Sequence, residues 1–331
     1  MSRGIVVVDR NIPFLDGVLE PWFEVRWRAG RDIGPDDVRD AAALLIRTRT
    51  RCDAALLDGS AVRFIATATI GTDHIDTAYC ASQGIAVASA PGCNAAAVAQ
   101  YVRVALHALA LDRPGATLGV VGVGHVGSLV AEAGRRAGMR VLLNDPPREA
   151  VEGPAGFTPL PELLAVSDVV TLHIPLWPEN RDFADAAFFA AMKPGASLIN
   201  ASRGEVLDEA ALLAARPRLG RVVIDVWKNE PNINQDLLAA ADIATPHIAG
   251  YSIQGKINGT QAVVRALGND FAIAPLRAFK VTGVTLPQTP YDIWQDDQEL
   301  RSNPSSFESL RSHYSYRNER LYFYKDSRSH P

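Results

Sequence analysis

The segment from residue 117 to residue 145 restricts the fold more than any other part of the sequence. It begins with an apolar run, Leu118–Val121, and continues with the glycine-rich stretch GVGHVG at residues 122–127. A helical repeat of apolar residues comes next, and a second apolar run, Arg140–Asn144, is followed directly by Asp145. The order of strand, glycine turn, helix, strand and acid is typical of the dinucleotide-binding βαβ unit.

Each glycine of this turn has a separate physical role. Gly122 permits the tight turn, Gly124 lets a pyrophosphate approach the backbone, and Gly127 lets the helix pack against the sheet. The start of the helix offers N–H groups to the phosphates. Asp145 is placed to accept hydrogen bonds from both ribose hydroxyls, and its charge repels a 2′-phosphate, so we predict NAD rather than NADP. The cofactor contacts predicted from this unit are Gly122, Gly124, His125, Val126, Gly127 and Asp145.

Length and composition set the class of protein. A chain of 331 residues is long enough for two domains. A net charge of −4 gives no indication of a nucleic-acid partner, and no apolar run is as long as a membrane span. The first residues lack the long apolar stretch of a signal peptide. Three cysteines without a CxxC pair argue against a disulfide framework or a metal site. We therefore expect a cytoplasmic protein with no membrane partner and no bound metal.

Residues 1–92 alternate short apolar runs with helical patterns, which predicts a small α/β domain. Polar stretches, Arg47–Arg51 and Thr69–His74, follow two of these runs. Ligands of open α/β sheets bind beyond the carboxyl ends of the strands. Three arginines within five residues could bind an anionic substrate there, or they could belong to an ordinary solvated loop. The sequence leaves both interpretations open.

Three polar residues follow successive strands in residues 93–251, the range that we predict to form the NAD-binding Rossmann domain. They are Arg203, Glu230 and His247. A guanidinium can hold a substrate carboxylate with two hydrogen bonds. An imidazole can take a hydroxyl proton, and a carboxylate beside it fixes the tautomer of the ring. Oxidation of a 2-hydroxy acid needs these three groups, although each residue alone could also be an ordinary structural residue.

Several motifs resemble those of the D-isomer specific 2-hydroxyacid dehydrogenase family. They are GVVGVGHVG (119–127), INASRGEVLDEAAL (199–212), DVWKNEP (225–231) and TPHIAGY (245–251). Four further motifs resemble the branch of this family that oxidises 4-phospho-D-erythronate to the 2-oxo acid in vitamin B6 biosynthesis. These are TATIGTDHID (67–76), APGCNAAAV (90–98), NDPPR (144–148) and HIAGYSIQGKINGT (247–260).

The resemblance implies roles for individual residues. Arg203 would bind the substrate carboxylate, His247 would act as general acid/base, and Glu230 would orient His247. Asp225 could bind the nicotinamide end of the cofactor or could merely end its strand. The resemblance adds Ile174, Ala201, Ser202, Arg203, Asp225 and Gly250 to the predicted NAD contacts. The substrate contacts that we predict are Arg47, Thr48, Thr69 and Tyr251.

The resemblance also implies a fold of two doubly wound, Rossmann-like lobes. The substrate-binding lobe would be discontinuous, made of residues 1–92 and completed by about 252–270, and the cleft between the lobes would close around the ligands. Residues 271–331 resemble a shortened α+β dimerisation segment, so a homodimer is expected. The sequence departs from the subfamily at Ile174, which replaces a common threonine, and at Lys228, which stands where many relatives have glutamate.

Two other functions stay open at this point. The first is a D-2-hydroxyacid dehydrogenase acting on another substrate, of the phosphoglycerate or glyoxylate/hydroxypyruvate type. The second is a non-catalytic NAD-sensing protein on the same fold. Intact Arg203, Glu230 and His247 argue against the sensing protein, and the substrate lobe decides between the two enzymes.

Overall fold

The computed structural model describes residues 4–321. The strands are β1 (Ile5–Asp9), β2 (Glu24–Arg28), β3 (Ala41–Ile46), β4 (Phe64–Thr67), β5 (Ala86–Ala88), β6 (Thr117–Val121), β7 (Arg140–Asn144), β8 (Val169–Leu172), β9 (Ser197–Asn200), β10 (Val222–Ile224) and β11 (Ile243–Ala244). The α-helices are α1 (Pro35–Val38), α2 (Ala54–Leu57), α3 (Thr77–Ser82), α4 (Ala95–Ala108), α5 (His125–Arg136), α6 (Pro146–Glu152), α7 (Leu160–Val166), α8 (Ala186–Ala191), α9 (Glu209–Ala215), α10 (Gln235–Ala240), α11 (Ile253–Asp270), α12 (Ala274–Arg277), α13 (Ile293–Ser302) and α14 (Phe307–Ser312).

The described chain forms two compact units, and each is discontinuous in sequence. The first unit contains residues 4–94 and 253–286, and the second contains residues 95–252 and 287–321. Both units are built on parallel strands with helices between them, so the predicted α/β class with two Rossmann-like lobes is confirmed.

The first unit is built on a five-stranded parallel sheet in the order β2-β1-β3-β4-β5. Successive residues of its strands enter two different apolar clusters, as Val6 and Val7 of β1 do. Both faces of the sheet are therefore covered, which is why these strands are continuous apolar runs. Helix α11 contributes Val263, Val264 and Leu267 to one of the clusters. A segment far along the sequence thus completes the core of the first unit.

The second unit contains a six-stranded parallel sheet in the order β11-β10-β9-β8-β6-β7. The chain winds outward in both directions from β6, because β7 lies on one side of it and β8 on the other. Ligands of open α/β sheets bind at such a switch point, beyond the carboxyl ends of the strands. The glycine turn follows β6 directly and therefore lies at this position.

The C-terminal segment differs from the separate α+β element expected at residues 271–331. Residues 271–286 belong to the first unit and residues 287–321 to the second, and residues 322–331 lie outside the described part. Between residues 271 and 321 the structure shows helices and one isolated bridge, Ser252 to Arg317, but no strand. The physical reason is apolar burial, because Tyr291 and Ile293 pack on one face of the second sheet and Leu300 and Phe307 on the other.

Helix α13 covers the edge of the second sheet. The backbone N–H of Ala244 in β11 donates to Asp297 Oδ1 over 2.7 Å. Arg301 donates to the same carboxylate and to the carbonyl oxygens of Leu238 and Ala241. An edge strand that lacks a neighbouring strand leaves backbone groups unpaired. Here a helix from the C-terminal segment satisfies one of them.

Candidate active site

The glycine turn after β6 is closely packed at two of its three glycines. Gly122 has a φ of +84°, and a Cβ atom there would lie 2.7 Å from the carbonyl carbon of His173. A Cβ atom at Gly127 would lie 1.9 Å from the carbonyl oxygen of Gly122. Both distances are too short for a side chain, so glycine is required by the fold itself at these two positions.

Gly124 is different, because a Cβ atom there would meet no atom of the protein within 4 Å. Its φ of −74° and ψ of −152° are open to residues with side chains, and it caps the start of α5. His125, the first residue of α5, is exposed. The space over Gly124 and the N–H groups at the start of α5 form a cradle of the kind that binds a pyrophosphate. The residues present therefore fit the predicted dinucleotide.

Asp145 follows β7 and is tied to the same turn. Its Oδ2 accepts a hydrogen bond of 2.7 Å from the Val123 N–H, and its Oδ1 accepts one of 3.0 Å from Arg148 N at the start of α6. The carboxylate thus caps α6, which begins at the two prolines after the strand. Each oxygen has further acceptor capacity, so these contacts leave the predicted ribose contact open.

Ile174, after β8, lies beside the glycine turn. Its Cγ2 atom is 2.9 Å from the position that a Cβ atom of Gly122 would occupy. The preceding residue, His173, hydrogen-bonds through Nε2 to Thr171 Oγ1 over 2.9 Å. Loss of solvent around the imidazole lowers the pKa of His173 to about 3. This ring therefore stays neutral.

The turn after β9 is stabilised by Asn200, a fully buried residue that the sequence reasoning did not single out. Its Oδ1 accepts hydrogen bonds from the N–H and the hydroxyl of Ser202, and its Nδ2 donates to the carbonyl oxygen of Arg203 over 3.0 Å. Gly204 packs so closely on the next loop that a Cβ atom would lie 2.0 Å from the carbonyl carbon of Trp227. Arg203 is thereby held beside the loop that carries Glu230.

Glu230 and His247 form a direct pair. Nδ1 of His247 lies 2.8 Å from Oε2 and 3.0 Å from Oε1 of Glu230. The Trp227 N–H donates to Glu230 Oε1 over 3.1 Å. Burial raises the pKa of the Glu230 carboxyl, but His247, Arg311 and the Trp227 N–H together outweigh it, so the pKa is lower than usual. The pair predicted from the sequence is therefore present, with an ionised carboxylate.

The backbone of His247 has a φ of +56°, a left-handed conformation that residues other than glycine seldom adopt. Buried Asp225 holds the loop in this shape. Its Oδ1 accepts hydrogen bonds from the Thr245 hydroxyl and the Ile248 N–H, and its Oδ2 accepts one of 3.0 Å from the Ala249 N–H. The observed contacts of Asp225 are thus with residues 245–251, called the histidine loop, and its cofactor contact stays a prediction.

Burial raises the pKa of Asp225, although His247 and the three hydrogen bonds to the carboxylate act in the opposite direction. Tyr101, from α4, supports the same loop, because its hydroxyl lies 2.7 Å from Thr245 Oγ1. No sequence motif indicated this tyrosine, which is fully buried. A network of buried polar groups therefore stabilises the histidine loop.

The predicted substrate residues of the first unit lie in loops at the carboxyl ends of β3 and β4. Arg47 Nη1 donates to the Asn11 carbonyl oxygen over 3.1 Å, whereas Arg51 pairs with Asp53 over 2.7 Å. Thr48 is exposed. Thr69 Oγ1 lies 2.7 Å from the Thr67 hydroxyl. Arg51 is thus paired with a neighbouring carboxylate, and anion binding by the three arginines stays a prediction.

Tyr251 lies just past Gly250 at the end of the histidine loop. Its ring makes edge contacts with Tyr314 and Tyr316, at centroid distances of 5.8 and 6.1 Å. Arg311 and Arg317, from the same C-terminal segment, reach Glu230 and the histidine loop respectively. No local pattern in the sequence indicates these contacts, because they join residues that are more than 60 positions apart.

Residues 4–321 lack two kinds of feature. No helix in this part of the chain is long and apolar enough to cross a membrane. The same residues contain no group of three or more histidine, cysteine, aspartate or glutamate side chains that could hold a metal ion.

The known proteins that resemble this chain support the dinucleotide site inferred from the geometry. Residues 95–249 match the family described as D-isomer specific 2-hydroxyacid dehydrogenase, NAD binding domain. An erythronate-4-phosphate dehydrogenase of Bacteroides fragilis is 45% identical, over 95% of this chain and 97% of that protein. One from Ectopseudomonas mendocina is 42% identical, over 95% and 92%. The crystal structure of a D-lactate dehydrogenase from Aquifex aeolicus with NAD and lactic acid has a TM-score of 0.72, at 25% identity, over 85% of this chain and 100% of that one.

The Rossmann-like second unit, its glycine turn and the paired histidine and glutamate define an NAD-dependent dehydrogenase that acts on a small hydroxy acid. NAD is its cofactor. The chain belongs to the D-isomer specific 2-hydroxyacid dehydrogenase family and, within it, to the erythronate-4-phosphate dehydrogenases.

Proposed function

We propose that this chain oxidises 4-phospho-D-erythronate to (R)-3-hydroxy-2-oxo-4-phosphooxybutanoate, with NAD as hydride acceptor, in the biosynthesis of pyridoxal 5′-phosphate. The names of the relatives that share 42–45% identity support this substrate. The observation that carries the reaction class is the pair of Glu230 and His247, with an Nδ1 to Oε2 distance of 2.8 Å, in the NAD-binding unit. An acid–base pair beside a nicotinamide site is what oxidation of a 2-hydroxy acid requires.

The tautomer of His247 determines which ring nitrogen takes the proton of the substrate hydroxyl. Glu230 accepts a hydrogen bond from Nδ1, so the ring nitrogen that remains for the substrate is Nε2. The neutral ring takes the proton of the C2 hydroxyl at Nε2 and becomes an imidazolium. The Glu230 carboxylate stabilises this cation, because the opposite charge is 2.8 Å away. Bound at the glycine turn over Gly124, NAD would supply the acceptor for the hydride of C2.

Arg203 binds the substrate carboxylate in this proposal. A guanidinium offers two parallel N–H donors, which matches the two oxygens of a carboxylate. The Asn200 and Ser202 network fixes the backbone from which Arg203 extends. Arg47, Thr48 and Thr69 of the first unit, together with Tyr251, are proposed as further substrate contacts. The first unit would thus be the substrate-binding lobe and the second the NAD-binding lobe.

Steady-state reduction of NAD tests the proposal, with 4-phospho-D-erythronate compared with D-3-phosphoglycerate and unphosphorylated D-erythronate. We expect the highest kcat/KM with 4-phospho-D-erythronate. Faster oxidation of either other acid would overturn the substrate assignment but leave the dehydrogenase class intact. Tight NAD binding without oxidation of any of the three acids would favour the NAD-sensing alternative.

Coenzyme preference is tested at Asp145. The variant D145A removes the carboxylate that repels a 2′-phosphate, so the ratio of kcat/KM with NAD to kcat/KM with NADP should fall. An unchanged ratio would remove Asp145 from this role. A melting curve of the variant is the control, because Asp145 also caps α6 and binds the Val123 N–H.

Two further predictions from the sequence belong to this proposal. We propose a homodimer, on the resemblance of the C-terminal segment to a dimerisation element, and a cytoplasmic location. Sedimentation analysis at micromolar concentration tests the first, and a mass of one chain would contradict it. Cell fractionation tests the second.

A further inference from the structure

Arg311 connects the C-terminal segment to the acid–base pair. Its Nη1 lies 3.4 Å from Oε2 of Glu230, the oxygen that is closest to Nδ1 of His247. Only 12% of the Arg311 side chain and 18% of the Glu230 side chain are exposed, so solvent screens this ion pair weakly. Three groups therefore contact the Glu230 carboxylate: the His247 ring, the Trp227 N–H and the Arg311 guanidinium.

The element that carries Arg311 is firmly packed. Arg311 lies on α14, whose Phe307 is fully buried in the core of the second unit. The Arg311 guanidinium carbon lies 5.8 Å from the centre of the Phe307 ring. The Nε atom of Arg311 is buried and has no hydrogen-bond partner within residues 4–321. An arginine that is buried with an unsatisfied donor costs stability, so packing alone does not account for its position beside Glu230.

The same segment also holds the other end of the histidine loop. Arg317 is buried, and its guanidinium donates to the carbonyl oxygens of Ile248, over 2.9 Å, and of Ala249. Its Nε donates to Gln100 Oε1 over 2.8 Å. The C-terminal segment thus contacts the Glu230 carboxylate through Arg311 and the backbone that follows His247 through Arg317.

We propose that Arg311 is a positioning residue, which holds the Glu230 carboxylate against Nδ1 of His247 and sets the pH range in which the pair works. The proposal rests on the proposed dehydrogenase function. Within residues 4–321, two charged groups that act on the pair are Arg311 from α14 and Asp225, which directly follows β10. The guanidinium opposes a second positive charge on the imidazole. Without the guanidinium, the His247 ring binds a proton more readily. Because oxidation needs the neutral ring, activity is then lost at a higher pH when the solution is acidified.

Three variants test this role. R311M removes the charge and keeps much of the side-chain volume, and R311K keeps the charge but not the planar fork. R301M is the matched control, because Arg301 also ties the C-terminal segment to the second unit but contacts Asp297, Leu238 and Ala241 rather than the pair. For each protein, kcat, both KM values and the pH profile of kcat/KM are measured with 4-phospho-D-erythronate and NAD.

In R311M we expect kcat to fall about tenfold or more, with KM values within about twofold of the parent. The acidic limb of the pH profile should move up by about half to one pH unit, the size expected for one charge at this range in a partly screened site. In R311K the acidic limb of the pH profile should return to its position in the parent, although kcat should still be reduced. R301M should lower the melting temperature but keep the parent profile.

A parent-like pH profile in folded R311M would overturn the proposal, as would an equal shift in R301M. If R311M does not fold, the decision rests on R311K, in which parent values of both kcat and pH profile would overturn it. Failure of the proposed function is a separate result, because the parent enzyme would then not oxidise the substrate. The NMR titration of the His247 ring, identified with H247N, needs no turnover, and its midpoint should be higher in R311M than in the parent. An unchanged midpoint would also overturn the proposal.

Discussion

Alanine at Gly124 should weaken NAD binding and leave the fold intact, whereas alanine at Gly127 should damage both. The two glycines lie three residues apart in the same turn, but their surroundings differ. A Cβ atom at Gly127 would lie 1.9 Å from a backbone carbonyl oxygen, and one at Gly124 would meet no atom within 4 Å. Comparing the two alanine variants therefore distinguishes a glycine that the fold requires from a glycine that cofactor binding requires.

The magnitudes follow from these distances. Real Cβ atoms essentially never approach another heavy atom closer than 3.0 Å, so in G127A the start of α5 must move away from the turn. The movement is about 1 Å, and crowding of this kind in a packed interior costs about 1–3 kcal/mol or more. In G124A the backbone conformation suits alanine, but the gain of about 0.4–1 kcal/mol from a stiffer unfolded chain is offset by the poorer N-cap that alanine gives α5, so the apo protein should stay within about 1 kcal/mol of the parent. The added methyl group occupies space that we assign to the pyrophosphate, so we expect at least about tenfold weaker NAD binding, or about 1.4 kcal/mol.

Urea unfolding of the apo proteins gives the stability, and calorimetric titration with NAD gives the affinity. As an internal check, NAD should raise the melting temperature of the parent more than that of G124A at equal cofactor concentration. Parent-like NAD affinity in G124A would refute the assignment of this space to the cofactor. Parent-like stability in G127A would refute the close packing of α5 on the turn.

Three other changes test the site and the buried carboxyl group of Asp296 on α13. H247N should lower kcat by about 10²–10⁴-fold with NAD affinity unchanged, since asparagine tolerates the left-handed backbone of this position and removes only the acid–base group; a parallel loss of NAD affinity would make the histidine structural. R203K should lower kcat/KM by about 10–100-fold, because an ammonium cannot form the two-pronged carboxylate contact, and near-normal turnover would exclude that role. Burial raises the pKa of Asp296 to about 6, so the folded protein retains this proton at pH values where the unfolded chain has lost it. The stability that this protonation contributes is complete below about pH 4 and is lost, by up to about 3 kcal/mol, as the pH rises to about 6. D296N should not show this loss, and a stability difference between parent and D296N that is constant over this range would contradict the assignment.

The local features of the second unit could be predicted from the sequence because each depends on residues close together in the chain. Strand β7 begins and ends at the residues predicted for it, and the acid after it contacts the backbone of the glycine turn. The alternation of buried positions between two clusters explains the continuous apolar runs that marked these strands. The pairing of Glu230 with His247 followed from parallel topology, which brings the ends of successive strands to one edge.

The contacts of the C-terminal segment could not be predicted in this way. Helix α14 is six residues long, and neither its composition nor its charge pattern distinguishes Arg311 from the exposed arginines of the chain. Its partner Glu230 is 81 positions away. The shape of the turn after β9 also depends on a buried amide, that of Asn200, whose contacts only the folded backbone reveals.

The discontinuity of the first unit has a consequence for synthesis of the chain on the ribosome. Strands β1 to β5 emerge before residue 94, yet α11, which supplies Val263, Val264 and Leu267 to their core, is complete only at Asp270. At the usual elongation rates of about 5–20 residues per second, the ribosome takes roughly 10–40 s to synthesise the intervening residues. During that interval the apolar face of the nascent first sheet has no covering helix. The first unit therefore cannot complete its core until α11 has been synthesised, long after its own strands.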